Sequence, residues 1–235
     1  KIKKDAFYFY KSVWNQNEKF AYLCPHWNLK LEKGTVLPVI CYTNCEDAEL
    51  FVNGRSFGMK SKGFPCYGMT ERYGHFDRYR RPANTDDLFL SWDVPYEPGK
   101  IEVVGYHDGK EVCRYNVETT GEAAAIKLTV DKTSVDADGR SVVQAEVRIL
   151  DSEGHLVFDA CPELNFTLEG DGEIIGIDNG DPACHEQWKE TKGRHAFNGM
   201  AYAVIRAGQN KGELKLTVTS SDNTLTNASV TIQVG

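Results

Sequence analysis

Short runs in which apolar and polar residues alternate, broken by turn residues, dominate this chain, and that texture predicts strands rather than helices. Residues 36–43 read as a strand, with Pro38 suited to its start or to a sheet edge. Residues 48–52 meet residues 55–59 across Asn53-Gly54. Asn-Gly supplies the positive φ angles of a type I′ turn, so these two runs form a hairpin. Residues 88–94 make a further strand, closed by Pro95, on which Trp92 shares the core face with Leu88 and Leu90. Residues 100–106 and 110–118 pair around Asp108-Gly109. Residues 119–125 (Thr-Thr-Gly-Glu-Ala-Ala-Ala) read as a linker, after which the pattern restarts. Strands are predicted over 126–130, 142–150, 164–168, 173–177, 201–207, 213–220 and 228–234, with Val143, Ala145, Val147 and Ile149 on one face. That density of short strands is the count of an immunoglobulin-like sandwich.

The beginning departs from this rhythm. Residues 5–14 carry Phe7, Tyr10 and Trp14 at the spacing of one helical face, and Asp5 suits the N-cap. A lone helix of this length is marginal in water, so its aromatic face requires a partner, and two sandwiches are poor candidates for covering all of it. The expected fold class is all-β: two tandem immunoglobulin-like β-sandwiches behind a short N-terminal helix.

Composition narrows the function classes. With 235 residues, 41% hydrophobic and 26% charged, the chain can bury a core and is not disordered. No apolar run approaches the length of a membrane span. The opening, KIKKDAFYFYKSVWN, lacks the apolar stretch of a signal peptide, so either the chain is not exported or its start lies upstream. Net charge is −7, and it is unevenly spread. Residues 1–120 hold 17 Lys+Arg against 16 Asp+Glu, and residues 121–235 hold 10 against 18. Neither half has the basic field that a phosphate backbone demands, so no nucleic-acid partner is expected. Seven cysteines, an odd number without zinc-ligand spacing, read as thiols buried on strands, and the redox compartment stays open.

Candidate chemistry is sparse. Glycoside hydrolysis needs two carboxyl groups flanking one bond. The adjacent acids here, Asp86-Asp87 and the Glu46, Asp47, Glu49 group, lie in turn-like sequence and read as solvated. No nucleophile elbow, HExxH or phosphate loop occurs, so neither a cofactor nor a catalytic residue is assigned. The six histidines are scattered. His185-Glu186 and His195 are near one another in the sequence, but nothing in their spacing demands a metal site, and none is assigned. Asp136-Ala-Asp138-Gly139 opens like a calcium loop but lacks its later ligands, so a turn is expected there. Trp27 and Trp188 lie in irregular, polar surroundings; stacking on a sugar and local packing both suit them. Residues 61–87 hold Tyr73, Arg78 and Tyr79 within a long stretch without strand texture. Aromatic and arginine enrichment marks contact surfaces, so these three, together with Phe7, Tyr10 and Trp14, are candidates for contact with another domain.

Several of these segments resemble family 2 glycoside hydrolases of the β-galactosidase-like group. Lys4 to Asn15 (KDAFYFYKSVWN) is similar to the last helix of their catalytic barrel, and Pro25-His-Trp-Asn28 to the motif that follows it. Val39 to Cys45, Glu49 to Gly54 with Ser56 and Gly58, Trp92 to Gly99 and Gly105 to Gly109 resemble the first immunoglobulin-like domain after the barrel. Glu118-Thr-Thr-Gly121 resembles a join to a second such domain. There Asp136 to Gly139, Asp151 to Gly154, Phe166, Gly176 to Asp181 and Ala196 to Gly199 look like its bacterial immunoglobulin-like pattern.

The resemblance implies three parts: residues 1–20 as the remnant of the barrel's last helix, 21–120 as the first sandwich and 121–235 as the second. It places the catalytic glutamates upstream of residue 1. It implies a non-catalytic accessory region that supports carbohydrate hydrolysis by the parent enzyme, with the barrel of the same polypeptide as first partner, carbohydrate as a second, and a periplasmic or secreted setting. A carbohydrate-binding module and a tandem immunoglobulin-like adhesin or spacer stay open as alternatives.

Overall fold

The structure is a computed structural model and describes residues 3–15, 17–61, 88–187 and 193–235. The segment holding Tyr73, Arg78 and Tyr79, and also Trp188, lies outside the described residues. Among the described residues the fold is all-β apart from one short helix, α1 (Asp5–Trp14). The chain divides into two compact units, Lys1–Thr119 and Thr120–Gly235.

In the first unit the strands are β1 (Ala21–Cys24), β2 (Val36–Thr43), β3 (Asp47–Val52), β4 (Arg55–Ser61), β5 (Leu90–Pro95), β6 (Lys100–His107) and β7 (Lys110–Glu118). They form a three-stranded sheet, β1-β2-β5, and a four-stranded sheet, β4-β3-β6-β7, with antiparallel neighbours throughout. Period-2 alternation buries Val39 and Cys41 from β2, Ala48, Leu50 and Val52 from β3, and Leu90, Trp92 and Val94 from β5. These meet Ile101 and Val103 of β6 in one core. The β3–β4 turn has Asn53 at φ 49° and Gly54 at φ 80°, and the β6–β7 turn has Asp108 at 49° and Gly109 at 71°. Both are the left-handed pairs that Asx-Gly adopts at little cost.

The second unit contains β8 (Ala125–Val130), β9 (Ser134–Val135), β10 (Val142–Leu150), β11 (Glu163–Glu169), β12 (Gly172–Asp178), β13 (Gly193–His195), β14 (Met200–Ala207), β15 (Gly212–Ser220) and β16 (Ala228–Val234). The sheets run β12-β14-β10-β8 and β13-β11-β15-β16-β9. Val143, Ala145, Val147 and Ile149 point inward from β10, toward Leu214, Leu216 and Val218 of β15. At Asp136 to Gly139 the residues form a turn: Asp138 accepts from the backbone N–H of Arg140 (2.8 Å) and of Ser141 (2.6 Å).

The helix begins differently from the expected capping. Lys4 precedes it and makes no side-chain cap bond, while Asp5 sits inside the first turn. There its charge favours the helix N-terminus. Its oxygen accepts from the Tyr22 hydroxyl at 2.7 Å.

Candidate functional site

Helix α1 carries aromatics on two sides. Asp5, Tyr8, Phe9 and Ser12 fall at i, i+3, i+4 and i+7, and this side faces the β1-β2-β5 sheet. The Tyr8 and Tyr22 rings stack at 3.7 Å with 4° between their planes, and Tyr22 leans on Tyr115 at 5.3 Å. Phe9 meets Tyr42 edge-on at 5.6 Å. Asn44 pins the chain that leaves the helix, donating to Asn15 O (2.8 Å) and Glu18 O (2.7 Å) and accepting from Phe20 N–H (3.0 Å). Burial, and then the Asp5 carboxylate, hold the Tyr22 hydroxyl far above the ordinary phenol range, so it stays protonated and donates to Asp5.

The other side is bare. Phe7 is 43% exposed, Tyr10 49%, Val13 45% and Trp14 74%. Tyr10 stacks on Trp14 at 4.8 Å, and Lys3 Nζ lies 4.6 Å over Phe7. The sequence spacing of residues 7, 10 and 14 thus picks out a real face, but not the one that packs on the described β1-β2-β5 sheet. Together they make a contiguous exposed aromatic stripe on a helix docked against the sheet.

Trp27 requires a correction. Its side chain is wholly enclosed, with 0% exposure. The indole N–H donates to Glu97 O at 2.9 Å, Thr119 Oγ1 donates to Trp27 O at 3.0 Å, and the ring packs against Tyr96 at 5.2 Å. No ring face is left for a sugar, and Trp27 is a core residue. Outside it lies a cleft of about 240 Å³ whose lining includes Lys33, Val52, Arg55, Phe57, Tyr96 and Glu97. Lys33 pairs with Glu97 at 2.5 Å and holds that carboxyl below the usual range. Arg55 covers Phe57 at 4.7 Å. The cleft therefore presents one neutralised acid and two cations, which is not a glycosidase acid–base pair.

In the second unit, the loop that leads toward Trp188 is tied down by polar contacts. Arg194, 4% exposed, donates to Glu186 O (3.1 Å) and lies 3.5 Å from both Asp178 Oδ1 and Cys184 Sγ. Asn179 donates to His195 O at 2.9 Å. His195 and Glu186 do converge, with Nδ1 and Oε1 2.5 Å apart, and this contact holds the Glu186 carboxyl below its ordinary value. Among the described residues Asp151 is the buried carboxylate. It accepts from the N–H groups of Gly121, Glu153 and His155 at 3.0, 3.0 and 2.8 Å. A further cluster, not foreseen from the sequence, joins Glu46, His107 and Asp108, whose ligating atoms lie within 4.8 Å of one another. Glu46 already accepts from Asp108 N–H at 3.0 Å there. Pairing of β3 with β6 brings these residues together across 62 positions, a closeness that sequence spacing does not reveal.

Comparison with known proteins relates the chain to parts of larger proteins. Residues 126–231 match the model for "Glycoside hydrolase family 2 C-terminal domain 5", and residues 34–113 match "Domain of unknown function (DUF4982)". The β-galactosidase BoGH2A of Bacteroides ovatus is 36% identical over 218 residues, which is 92% of this chain and 23% of that protein. The chain matches the C-terminal region of family 2 glycoside hydrolases. A putative β-glucuronidase of Formosa agariphila is 29% identical over 88% of this chain and 18% of its own length. A solved family 2 member from Bacteroides cellulosilyticus superposes with a TM-score of 0.86 at 25% identity, over 99% of this chain and 30% of that one. A β-glycosidase from Bacteroides vulgatus superposes at 0.80 with 30% identity, over 99% and 27%. The chain thus spans about a quarter of the length of the family 2 proteins it matches.

Proposed function

We infer that this chain is a non-catalytic accessory region of a family 2 glycoside hydrolase, and that it supports a catalytic barrel through the bare side of α1. The exposed stripe of Phe7, Tyr10, Val13 and Trp14 carries this reading. Its helix is anchored to the first sandwich by Tyr8, Phe9 and Asn44, so the stripe is presented in a fixed orientation rather than on a frayed end. Burying aromatic surface of this kind yields roughly 25 cal/mol per Å², a driving force for docking. The relatives are named for β-galactosidase and β-glucuronidase activity, so the parent reaction is proposed to be hydrolysis of a β-galactoside or β-glucuronide.

The test compares the 235-residue chain with the enzyme that includes a barrel. The chain alone is expected to release no nitrophenol from aryl β-galactosides or aryl β-glucuronides, and turnover at enzyme rates would overturn the accessory reading. In the enzyme, the double substitution Tyr10→Ser and Trp14→Ser is expected to lower the thermal midpoint and kcat together. An unchanged midpoint and unchanged kcat would show that the stripe is not the docking face.

A further inference from the structure

Cys45 and Cys113 stand apart from the chemistry described so far. Cys45 lies just before β3 and is buried, while Cys113 sits on the edge strand β7 and is half-buried. They are 68 residues apart in sequence, yet their sulfurs are 3.5 Å apart. We propose that Cys45 and Cys113 are a disulfide-forming pair, closed by exchange with a disulfide oxidant, which joins the entry of β3 to the sheet's edge strand.

The local geometry is arranged for this. A disulfide needs its sulfurs about 2.0 Å apart, so the pair must close by about 1.5 Å. Gly105 of β6 is the register partner of Cys113 and leaves the space the sulfurs occupy. A Cβ at Gly105 would lie 2.6 Å from Cys113 Sγ and 2.7 Å from Cys45 Sγ. Any larger residue would drive the two sulfurs out of their present positions. Cys45 is held from its own backbone, its N–H donating to Thr43 Oγ1 at 3.0 Å, and Thr43 Oγ1 in turn donates to Phe20 O at 2.7 Å.

The titration of the pair supports the same chemistry. The Cys113 thiol, and with smaller effect the nearby charges of Lys19 and His107, draw the Cys45 thiol below the ordinary range against the opposing effect of burial. The Cys45 sulfur and burial push Cys113 up. One proton is thus lost readily and the second with difficulty, as expected of two sulfurs in contact. Elsewhere, burial holds the Cys24 thiol up at about 11, and Cys161 is exposed.

The exchange balances in two steps. The pair loses one proton to water, the remaining proton passes between the two touching sulfurs, and the monoanion attacks one sulfur of the oxidant, RSSR, through Cys113, the sulfur nearer solvent. This forms a Cys113–S–S–R bond and releases RS⁻. The Cys45 thiolate then attacks the Cys113 sulfur, the bond to R breaks, and a second RS⁻ leaves. Two protons from the protein thiols end on the two RS⁻ ions, and the two electrons reduce RSSR to two RSH.

The experiment uses the 235-residue chain carrying Cys161→Ser, which removes the exposed competitor, treated with excess oxidised glutathione. Peptide mapping is expected to show one cross-link joining the peptides of Cys45 and Cys113, reversed by dithiothreitol. The oxidised form is expected to melt at least about 5 °C above the reduced form, because the bond closes a long loop. Adding Cys113→Ser, or separately Cys45→Ala, should abolish both the cross-link and the shift. A persistent glutathione adduct without the cross-link, a cross-link to another cysteine, or a melting shift on oxidation that survives Cys113→Ser would overturn the proposal.

Discussion

The two units solve the same packing problem with different surfaces. All the large hydrophobic side chains that stand exposed among the described residues fall in the first unit, from Phe7 to Val112, and none in the second. The second unit closes its core with Val, Ile, Leu and Ala from long, regular strands. The first builds its core around Trp27, Trp92 and Tyr96 and leaves a helix side bare. Both are sandwiches, yet one finishes its own surface and the other does not. That exposed aromatic area is the feature on which the proposed docking rests.

The difference extends to charge. The acidic excess of residues 121–235 is spent largely on backbone. Asp131, Asp138, Asp151, Asp171, Asp178, Asp181 and Asp222 each accept from at least one main-chain N–H in a turn or at a strand end. In the first unit, amide side chains share that role with a carboxylate: Asn44 accepts from Phe20 N–H, Asn53 from Lys100 N–H and Glu46 from Asp108 N–H. Seven carboxylates of the second unit thus pin turns and strand ends.

The contrast can be broken most sharply at Trp27. Trp27→Ala empties the first core and is expected to cost about 3–5 kcal/mol, against ordinary domain stabilities of about 5–15 kcal/mol. Calorimetry should show an early transition for the first unit with the second unchanged. A uniform shift of both would mean that the units do not melt separately. Asp151→Ala, in the second unit, strips the acceptor from three N–H groups and should cost about 1–3 kcal/mol, read as a lower urea midpoint.

Acid sharpens the comparison further. For Asp151, burial alone would raise the pKa, but the N–H groups of His155, Gly121 and Glu153 outweigh it and hold the carboxyl below its ordinary value. Asp138, Asp171 and Asp222 are lowered chiefly by backbone N–H donors. A depressed folded-state pKa gives stability that is present above the unfolded value, about 3.9 for Asp, and lost as pH falls through the folded one. The second unit should therefore weaken first below about pH 4. In a chain carrying Trp188→Phe, tryptophan fluorescence comes only from Trp14, Trp27 and Trp92 of the first unit; it should outlast the loss of far-UV signal, and coincident loss would refute this. The smallest effect is expected at Trp14→Ala in the isolated chain. A side chain 74% exposed should cost less than about 0.5 kcal/mol, and a larger loss would mean that Trp14 packs within the unit.

Most of the strand framework was legible because one-faced burial writes itself as alternation, and Asn53-Gly54 and Asp108-Gly109 announce their turns. What escaped was short. Ala21–Cys24 is nearly all buried and too brief to alternate, while Ser134–Val135 and Gly193–His195 are two and three residues long. The functional features escaped for a different reason. Trp27 is buried by Glu97 and Thr119, 70 and 92 positions away, and no local pattern records that. On α1, aromatics occupy both sides, so periodicity identifies two faces without saying which one is covered. The pairing of Cys45 with Cys113 follows from register across two strands and a glycine, information that exists only once the sheet has formed.

Helix α1 behaves as a rivet. Trimming it away would not simply shorten the polypeptide; it would strip the rings of Tyr22 and Tyr42 of their cover and turn a finished sheet into a sticky one. Anyone grafting this pair of sandwiches onto a different enzyme must carry those ten residues along, and must then choose a host whose own surface can take up the helix's outer side.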